Sequence, residues 1–167
     1  VDGLNNGIYL DDDLRNSSKT NFCMGVAGYP EKHFEAPNMN SDIHFLKKKI
    51  EYGAEYVVTQ MFFDNQKYFE FVDKCRTAGI TVPIIPGLKP LATKRQLSIL
   101  PHRFHVDLPD TLTLEVLKCK TKDQVRQVGV EWCIQQSREL ISAGAPVLHY
   151  YSMGKSNNIH KIASELF

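Results

Sequence analysis

No stretch of this 167-residue chain approaches the roughly 18 consecutive apolar residues that a membrane-spanning helix needs. No basic, apolar, small-residue signal opens it either, so neither a membrane span nor a secretory leader is expected. Neither sign of charge dominates. Twenty Lys and Arg against 19 Asp and Glu leave a formal charge of +1, which argues against nucleic acid or an anionic membrane as the main partner. Cysteine is scarce. Cys23, Cys75, Cys119 and Cys133 form no C-x-x-C pair, and each sits in an otherwise apolar segment. They read as reduced core residues of a cytosolic protein rather than as a disulfide framework. The Walker loop, the G-x-S-x-G elbow and H-E-x-x-H are all missing. His102 and His105 have the spacing of a metal pair, but nothing nearby completes a ligand set and Pro101 stands just before them, so no metal is expected.

What remains is the composition of one ordinary globular domain. It is 43% hydrophobic, 23% charged and 10% aromatic, which excludes a disordered tail or a fibre. The chain opens at Val1 rather than a methionine, and is read as part of a longer protein. Residues 1–20 have the Asn, Asp, Gly and Ser content of a loop or connecting segment, with a short helix around Leu10 to Leu14.

From residue 21 onward a rhythm sets in. Phe22 to Ala27, Tyr56 to Phe63, Val82 to Ile85 and Val147 to Tyr151 are short apolar runs that read as strands. Between them lie helical patterns. One is capped by Ser41 and carries Ile43, Leu46 and Ile50 on one face, with Gly53 as its stop. Another is capped by Asn65, carries Tyr68, Phe71, Val72 and Cys75, and is closed by Gly79. Shorter helices are expected over Thr93 to Leu100 and Pro109 to Cys119. Thr121 and Gln124 make a capping box for a long helix to about Ser142, and Ile159, Ile162, Ala163 and Leu166 mark the last one. Continuous apolar strands alternating with helices indicate parallel strands buried on both faces. An open doubly wound sheet or part of a (β/α)8 barrel would fit, four strands being too few to close a barrel of about 250 residues. No G-x-G-x-x-G follows any strand, which weakens a dinucleotide-binding Rossmann reading.

Chemistry in such folds sits at the C-terminal strand ends. Those ends hold Tyr29 to Ala36, then Thr59 and Gln60, then Lys89 and Gln96, then Ser152 to Lys155. Gln60 interrupts an apolar strand. It is either a carboxamide tied to neighbouring backbone or a group aimed at a planar, hydrogen-bonding ligand. Lys47, Lys48 and Lys49 are either a solvated helix face or a patch for an anionic cofactor, with Asp42, Phe45 and Lys49 on one stripe.

Val26-Ala27-Gly28-Tyr29-Pro30-Glu31-Lys32-His33, followed by Glu35-Ala36, resembles the AxYPExHxEA motif of methylenetetrahydrofolate reductases. The resemblance continues through Thr59-Gln60-Met61-Phe62-Phe63-Asp64, Ile84-Ile85-Pro86-Gly87-Leu88 and His149-Tyr150-Tyr151, and covers nearly everything from Phe22 onward. It implies an α/β fold, a parallel (β/α)8 TIM barrel of which residues 21–167 supply the last four strands. It implies an FAD-dependent oxidoreductase that reduces methylenetetrahydrofolate to methyltetrahydrofolate with NAD(P)H, in ping-pong order. The setting is one-carbon metabolism and methionine biosynthesis, in the cytoplasm, with a homo-oligomer expected for the complete enzyme. Tyr29, His33 and Ala36 match flavin-contacting positions, and Asp42, Lys48 and Lys49 match positions that hold the rest of the FAD. Gln60 matches a glutamine that touches both nicotinamide and folate, and Gln96 matches a second folate contact. Phe45 departs from the pattern where a polar flavin contact is often found. Lys155 stands where some members have a folate-contacting arginine, keeping the charge but not the bidentate fork. The family's proton donor and its flavin-side aspartate lie on the first strand and after the fourth, outside this chain. Glu31 and Glu35 are not assigned as substitutes, so no catalytic acid is expected here and the piece alone is expected to be inactive. The alternative is a non-catalytic half-barrel that binds a nucleotide or a partner.

Overall fold

The computed structural model of the chain describes residues 1–11, 13–152, 154 and 156–167. The elements run α1 (Asp2–Asn5), β1 (Gly25–Gly28), α2 (Met39–Glu51), β2 (Tyr56–Met61), α3 (Asn65–Thr77), β3 (Ile84–Leu88), α4 (Gln96–Phe104), α5 (Asp110–Lys118), α6 (Lys122–Ser142), β4 (His149–Tyr150) and α7 (Asn157–Leu166). The four strands form one parallel sheet in the order β1-β2-β3-β4. Each strand therefore lies beside its predecessor, as four consecutive strands of a (β/α)8 barrel do. The sheet is open within this chain.

The helices gather on one face. Val57, Ile84 and Leu88 of the sheet pack with Ile43 and Leu46 of α2, Phe71 and Cys75 of α3, Val130, Cys133 and Leu140 of α6, and Ile162 of α7. A second core joins Met61 and Phe63 to Leu91, Leu100, Leu112, Val116 and Val125 under α4, α5 and α6. Among the described residues the other face is less covered along β2. On β2, Val57, Thr59 and Met61 are buried while Tyr56, Val58 and Gln60 are only half-buried. Burial on both faces, expected from the apolar runs, is found over Pro86 to Leu88 of β3 but not along β2.

Several boundaries differ from the sequence reading. The first strand begins at Gly25, leaving Phe22 and Cys23 exposed, because β1 pairs only with β2 and its outer edge is free. Cys23 is therefore no core residue, whereas Cys75, Cys119 and Cys133 are buried. The helix expected over Leu10 to Leu14 is not found at Leu10, Asp11, Asp13 and Leu14, and Asp12 lies outside the described residues. The short helix lies at Asp2–Asn5 instead, where the Asn5 side chain accepts from Phe22 N–H and Thr20 Oγ1. Asn38, not Ser41, caps α2, accepting the Ser41 N–H at 2.9 Å, and Asp64, not Asn65, caps α3. The third strand runs on through Pro86 and Gly87. Pro86, which has no N–H to offer, stands where the β2–β3 register slips, between Val58 and Met61. Gly87 N–H bonds Thr59 Oγ1 at 2.9 Å, and a Cβ at Gly87 would meet the Thr59 carbonyl and the Tyr151 ring. The fourth strand shrinks to two residues, again with one neighbour only. The helix expected from Thr93 starts at Gln96 and reaches Phe104. The capping box of Thr121 and Gln124 is present as read.

Candidate functional site

The C-terminal end of β1 opens into a loop folded on its own lysine. Lys32 adopts a left-handed backbone at φ 76°, and its ammonium donates to the His33 and Ala36 carbonyls at 2.9 and 2.6 Å. His33 N–H donates to Asp42 Oδ2 at 2.8 Å, joining the loop to the first turn of α2. The Tyr29 and His33 rings meet edge to face, centroids 4.6 Å apart. Burial pushes the Tyr29 phenol up, and the nearby Asp42 carboxylate adds to it. Tyr29, His33, Ala36 and Asp42 thus form one cluster.

Gln60 stands at the same level on the neighbouring strand, since Gly28 pairs with Thr59. Its Oε1 accepts the Met61 N–H at 2.9 Å, while its NH2 has no partner among the described residues. Gln96, at the start of α4, is similar. Its Oε1 accepts from Ala92 and Thr93 N–H at 2.7 and 3.0 Å, leaving the NH2 unpaired among the described residues. Both glutamines have their carbonyl occupied locally and a donor left over. The local-backbone reading of Gln60 is therefore met by one end of the amide only.

The lysine run divides. Ile43 and Leu46 point into the core, and Asn40, His44 and Lys47 line a groove of about 580 Å³ against α3. Helical spacing puts Asp42, Phe45 and Lys49 on the opposite flank. Lys48 lies beside that flank, its Nζ 5.9 Å from the centroid of the exposed Phe45 ring. No ion pair involves these lysines among the described residues. Lys48 and Lys49 sit six and seven positions beyond Asp42, roughly 9–10 Å along the helix, so only an extended ligand could touch both ends. Lys155 lies outside the described residues.

Sequence reasoning passed over two supports. Tyr151 donates its phenol proton to the Thr59 carbonyl at 2.8 Å, and burial, then Tyr29, pushes its pKa up. Helix α6 captures two consecutive carbonyls just past Gln60: Trp132 Nε1 reaches Phe63 O at 3.0 Å and Gln136 Nε2 reaches Phe62 O at 3.4 Å. Their spacing from the turn, 69 and 74 residues, carries no local signal. Lys89 stands just past the end of β3. Burial lowers its pKa, and its ammonium reaches the Tyr151 carbonyl at 3.4 Å. Among the described residues no group of three or more His, Cys, Asp or Glu is placed to hold a metal ion.

Comparison with known proteins bears on the family and the fold. A family model described as methylenetetrahydrofolate reductase matches residues 8–167. A probable methylenetetrahydrofolate reductase (NADPH) of Caenorhabditis elegans is 36% identical over 148 residues, covering 87% of this chain and 22% of that protein. The 5,10-methylenetetrahydrofolate reductase of Salmonella typhimurium is 32% identical over 146 residues, 87% of this chain and 49% of its own length. The chain thus spans half or less of these relatives. Among solved structures, an uncharacterized Clostridium thermocellum protein that binds two copies of 5-methyl-5,6,7,8-tetrahydrofolic acid has the same fold. The TM-score is 0.55 at 18% identity, over 84% of this chain and 51% of that one. With the family match running over nearly the whole chain, this chain belongs to the methylenetetrahydrofolate reductase family.

Proposed function

We propose that this chain supplies the flavin- and folate-contacting strands five to eight of an FAD-dependent, NAD(P)H-using methylenetetrahydrofolate reductase. The observation that carries the reading is the convergence at the β1 and β2 ends: an aromatic pair and a carboxylate beside a glutamine whose NH2 awaits an acceptor. The names of the relatives and the folate bound by the clostridial protein favour the same substrate class. The residues present suit FAD. Tyr29, His33 and Ala36 border a place for the flat ring system, and Lys48 and Lys49, without carboxylate partners among the described residues, suit the two phosphates. Bound there, FAD would supply the hydride-transfer chemistry between the nicotinamide and the folate. The protein's own part is to orient: Gln60 donates to each substrate in turn, Gln96 donates to the folate, and Lys155 draws the folate's anionic end. The complete enzyme works in the cytoplasm, as a homo-oligomer, on the route that supplies methyl groups for methionine.

The test is direct. The complete protein should purify with flavin absorbance and oxidise NAD(P)H in a methylenetetrahydrofolate-dependent way. A colourless, inactive protein that takes up no added FAD would favour the non-catalytic half-barrel. Within the flavin reading, Lys49→Glu should weaken FAD binding about tenfold, the scale of one lost charge-assisted bond. The loss should grow at low salt, where repulsion between carboxylate and phosphate is less screened. Titration of the apoprotein with FAD across a salt series measures it, and unchanged affinity returns Lys49 to a solvated helix face.

A further inference from the structure

Glu31 is the one carboxylate of the β1–α2 loop that is held in a buried setting and has no task in the reading above. Its Oε2 accepts the Asp107 backbone N–H at 2.7 Å, across the rim from its own loop. Its Oε1 is buried and has no partner among the described residues. Asp107 lies between α4 and α5, and its carboxylate is 3.6 Å from Lys67 Nζ in the first turn of α3. Two residues earlier, His105 ends α4 in a left-handed conformation at φ 54° and stacks on Phe34, centroids 5.0 Å apart and planes 18° from parallel. One polar and one aromatic contact therefore bind the same two segments together.

Those segments matter for what they carry. The loop bears Tyr29 and His33, and the turn is the far end of the helix that begins at Gln96. We propose that Glu31 is a positioning residue whose carboxylate fastens the Tyr29–Ala36 loop to the His105–Asp107 turn, and so sets the spacing between the flavin-contacting side chains and Gln96. This role rests on the reductase reading.

The groups facing Glu31 are few. Asp107 comes from the α4–α5 turn and Lys67 from α3. In its own loop the Lys32 ammonium is engaged by the His33 and Ala36 carbonyls, His33 N–H is bonded to Asp42, and Glu35 is exposed beside His33. Burial raises the Glu31 carboxyl from its ordinary 4.5 to about 7. The Asp107 N–H opposes the rise, the Asp107 carboxylate adds to it and Lys67 opposes it. The folded protein thus binds an extra proton between those two values. Stability from this group is full at low pH and is lost as pH rises through about 7. The bond to Asp107 has the opposite sign, because an ionised acceptor holds an N–H more strongly than a neutral one. The fastening tightens over the pH range in which global stability from Glu31 declines.

Glu31→Ala and Glu31→Gln, made in the complete protein, test this. In the alanine variant, amide exchange at 105–107 and 29–36 should quicken and the KM for methylenetetrahydrofolate should rise about tenfold, with kcat changed less. Glutamine keeps an acceptor for Asp107 N–H. It should fold, hold a KM near that of the wild type below pH 7, and lack the fall in KM expected of the wild type as pH rises through about 7. Unchanged exchange in the alanine variant means that no fastening exists. Faster exchange with a wild-type KM, or a glutamine variant that keeps the wild-type pH profile, reduces Glu31 to a structural residue and overturns the proposal. A wild type that neither binds flavin nor turns over folate overturns the reductase reading and the positioning role with it. The exchange comparison still decides separately whether the loop is fastened.

Discussion

Gly129→Ala is expected to lower stability by about 3 kcal/mol, at the upper end of what overpacking costs. Gly129 is buried in α6, where the helix passes over the segment that follows β3. A Cβ there would fall well inside contact distance of the Leu91 carbonyl oxygen and 2.7 Å from the Leu91 nitrogen and carbonyl carbon. All three atoms are backbone, so no rotamer change can make room. Leu91 itself is 1% exposed, in the core beneath α4 and α5. Either α6 lifts or the chain between β3 and α4 shifts, and both cores loosen. For a domain of this size the melting temperature should fall by about 6–12 °C. Thermal unfolding followed by circular dichroism measures it, and a variant melting with the wild type would mean that α6 rides higher above Leu91. Because α6 also holds the Phe62 and Phe63 carbonyls, the alanine variant should lose substrate affinity well below its melting temperature.

The second large effect belongs to Gln60. Gln60→Ala in the complete enzyme should cut kcat/KM about 10–100-fold for both the reduced nicotinamide and the folate while flavin stays bound. An unpaired polar group left on each substrate costs about 1–3 kcal/mol. In the proposed reading one donor would serve two substrates that occupy the same place in turn, so the two losses should be of similar size. The Tyr29, His33 and Asp42 cluster proposed for the flavin follows the neighbouring strand and does not use the Gln60 amide. Steady-state kinetics with each substrate varied, beside the flavin absorbance, separates the outcomes. Normal kinetics with both substrates would strip Gln60 of this role, and a loss confined to one would make it specific to that one.

Much of the architecture was legible because its signals are local. The Tyr68, Phe71 and Cys75 stripe, the stops at Gly53 and Gly79, and the Thr121–Gln124 box each lie within a few residues of what they determine, and each appears where it was read. The errors come from competition that local pattern does not contain. Asp64 and Asn65 can both cap α3. Asn65 is drawn away because its amide is buried against α6, donating to the Gln136 carbonyl and accepting from Gln136 Nε2. Apolar content could not tell a paired strand from a free edge, so Phe22 and Cys23 were counted inside. The lysine run was undecidable by composition, since only the packing of α2 on α3 separates Lys47 from Lys48 and Lys49. For the site, the motif residues after β1 and β2 were found by resemblance. Glu31 was seen without its partner, because Asp107 lies 76 residues away.

The sequential order of the strands also bears on how the sheet assembles. Pairing β1 with β2, or β2 with β3, closes a loop containing a single helix. Pairing β3 with β4 must close one containing α4, α5 and α6, roughly twice as long. Each doubling of a closed loop costs only about 0.6 kcal/mol, but β4 has two residues of ladder with which to offset it. The β1–β2–β3 unit should therefore form first, with β4 added after α6 has docked. In native-state hydrogen exchange, His149 and Tyr150 should open well before Val57 and Ile84, giving this sheet a slow-exchanging centre and a late, easily released last strand.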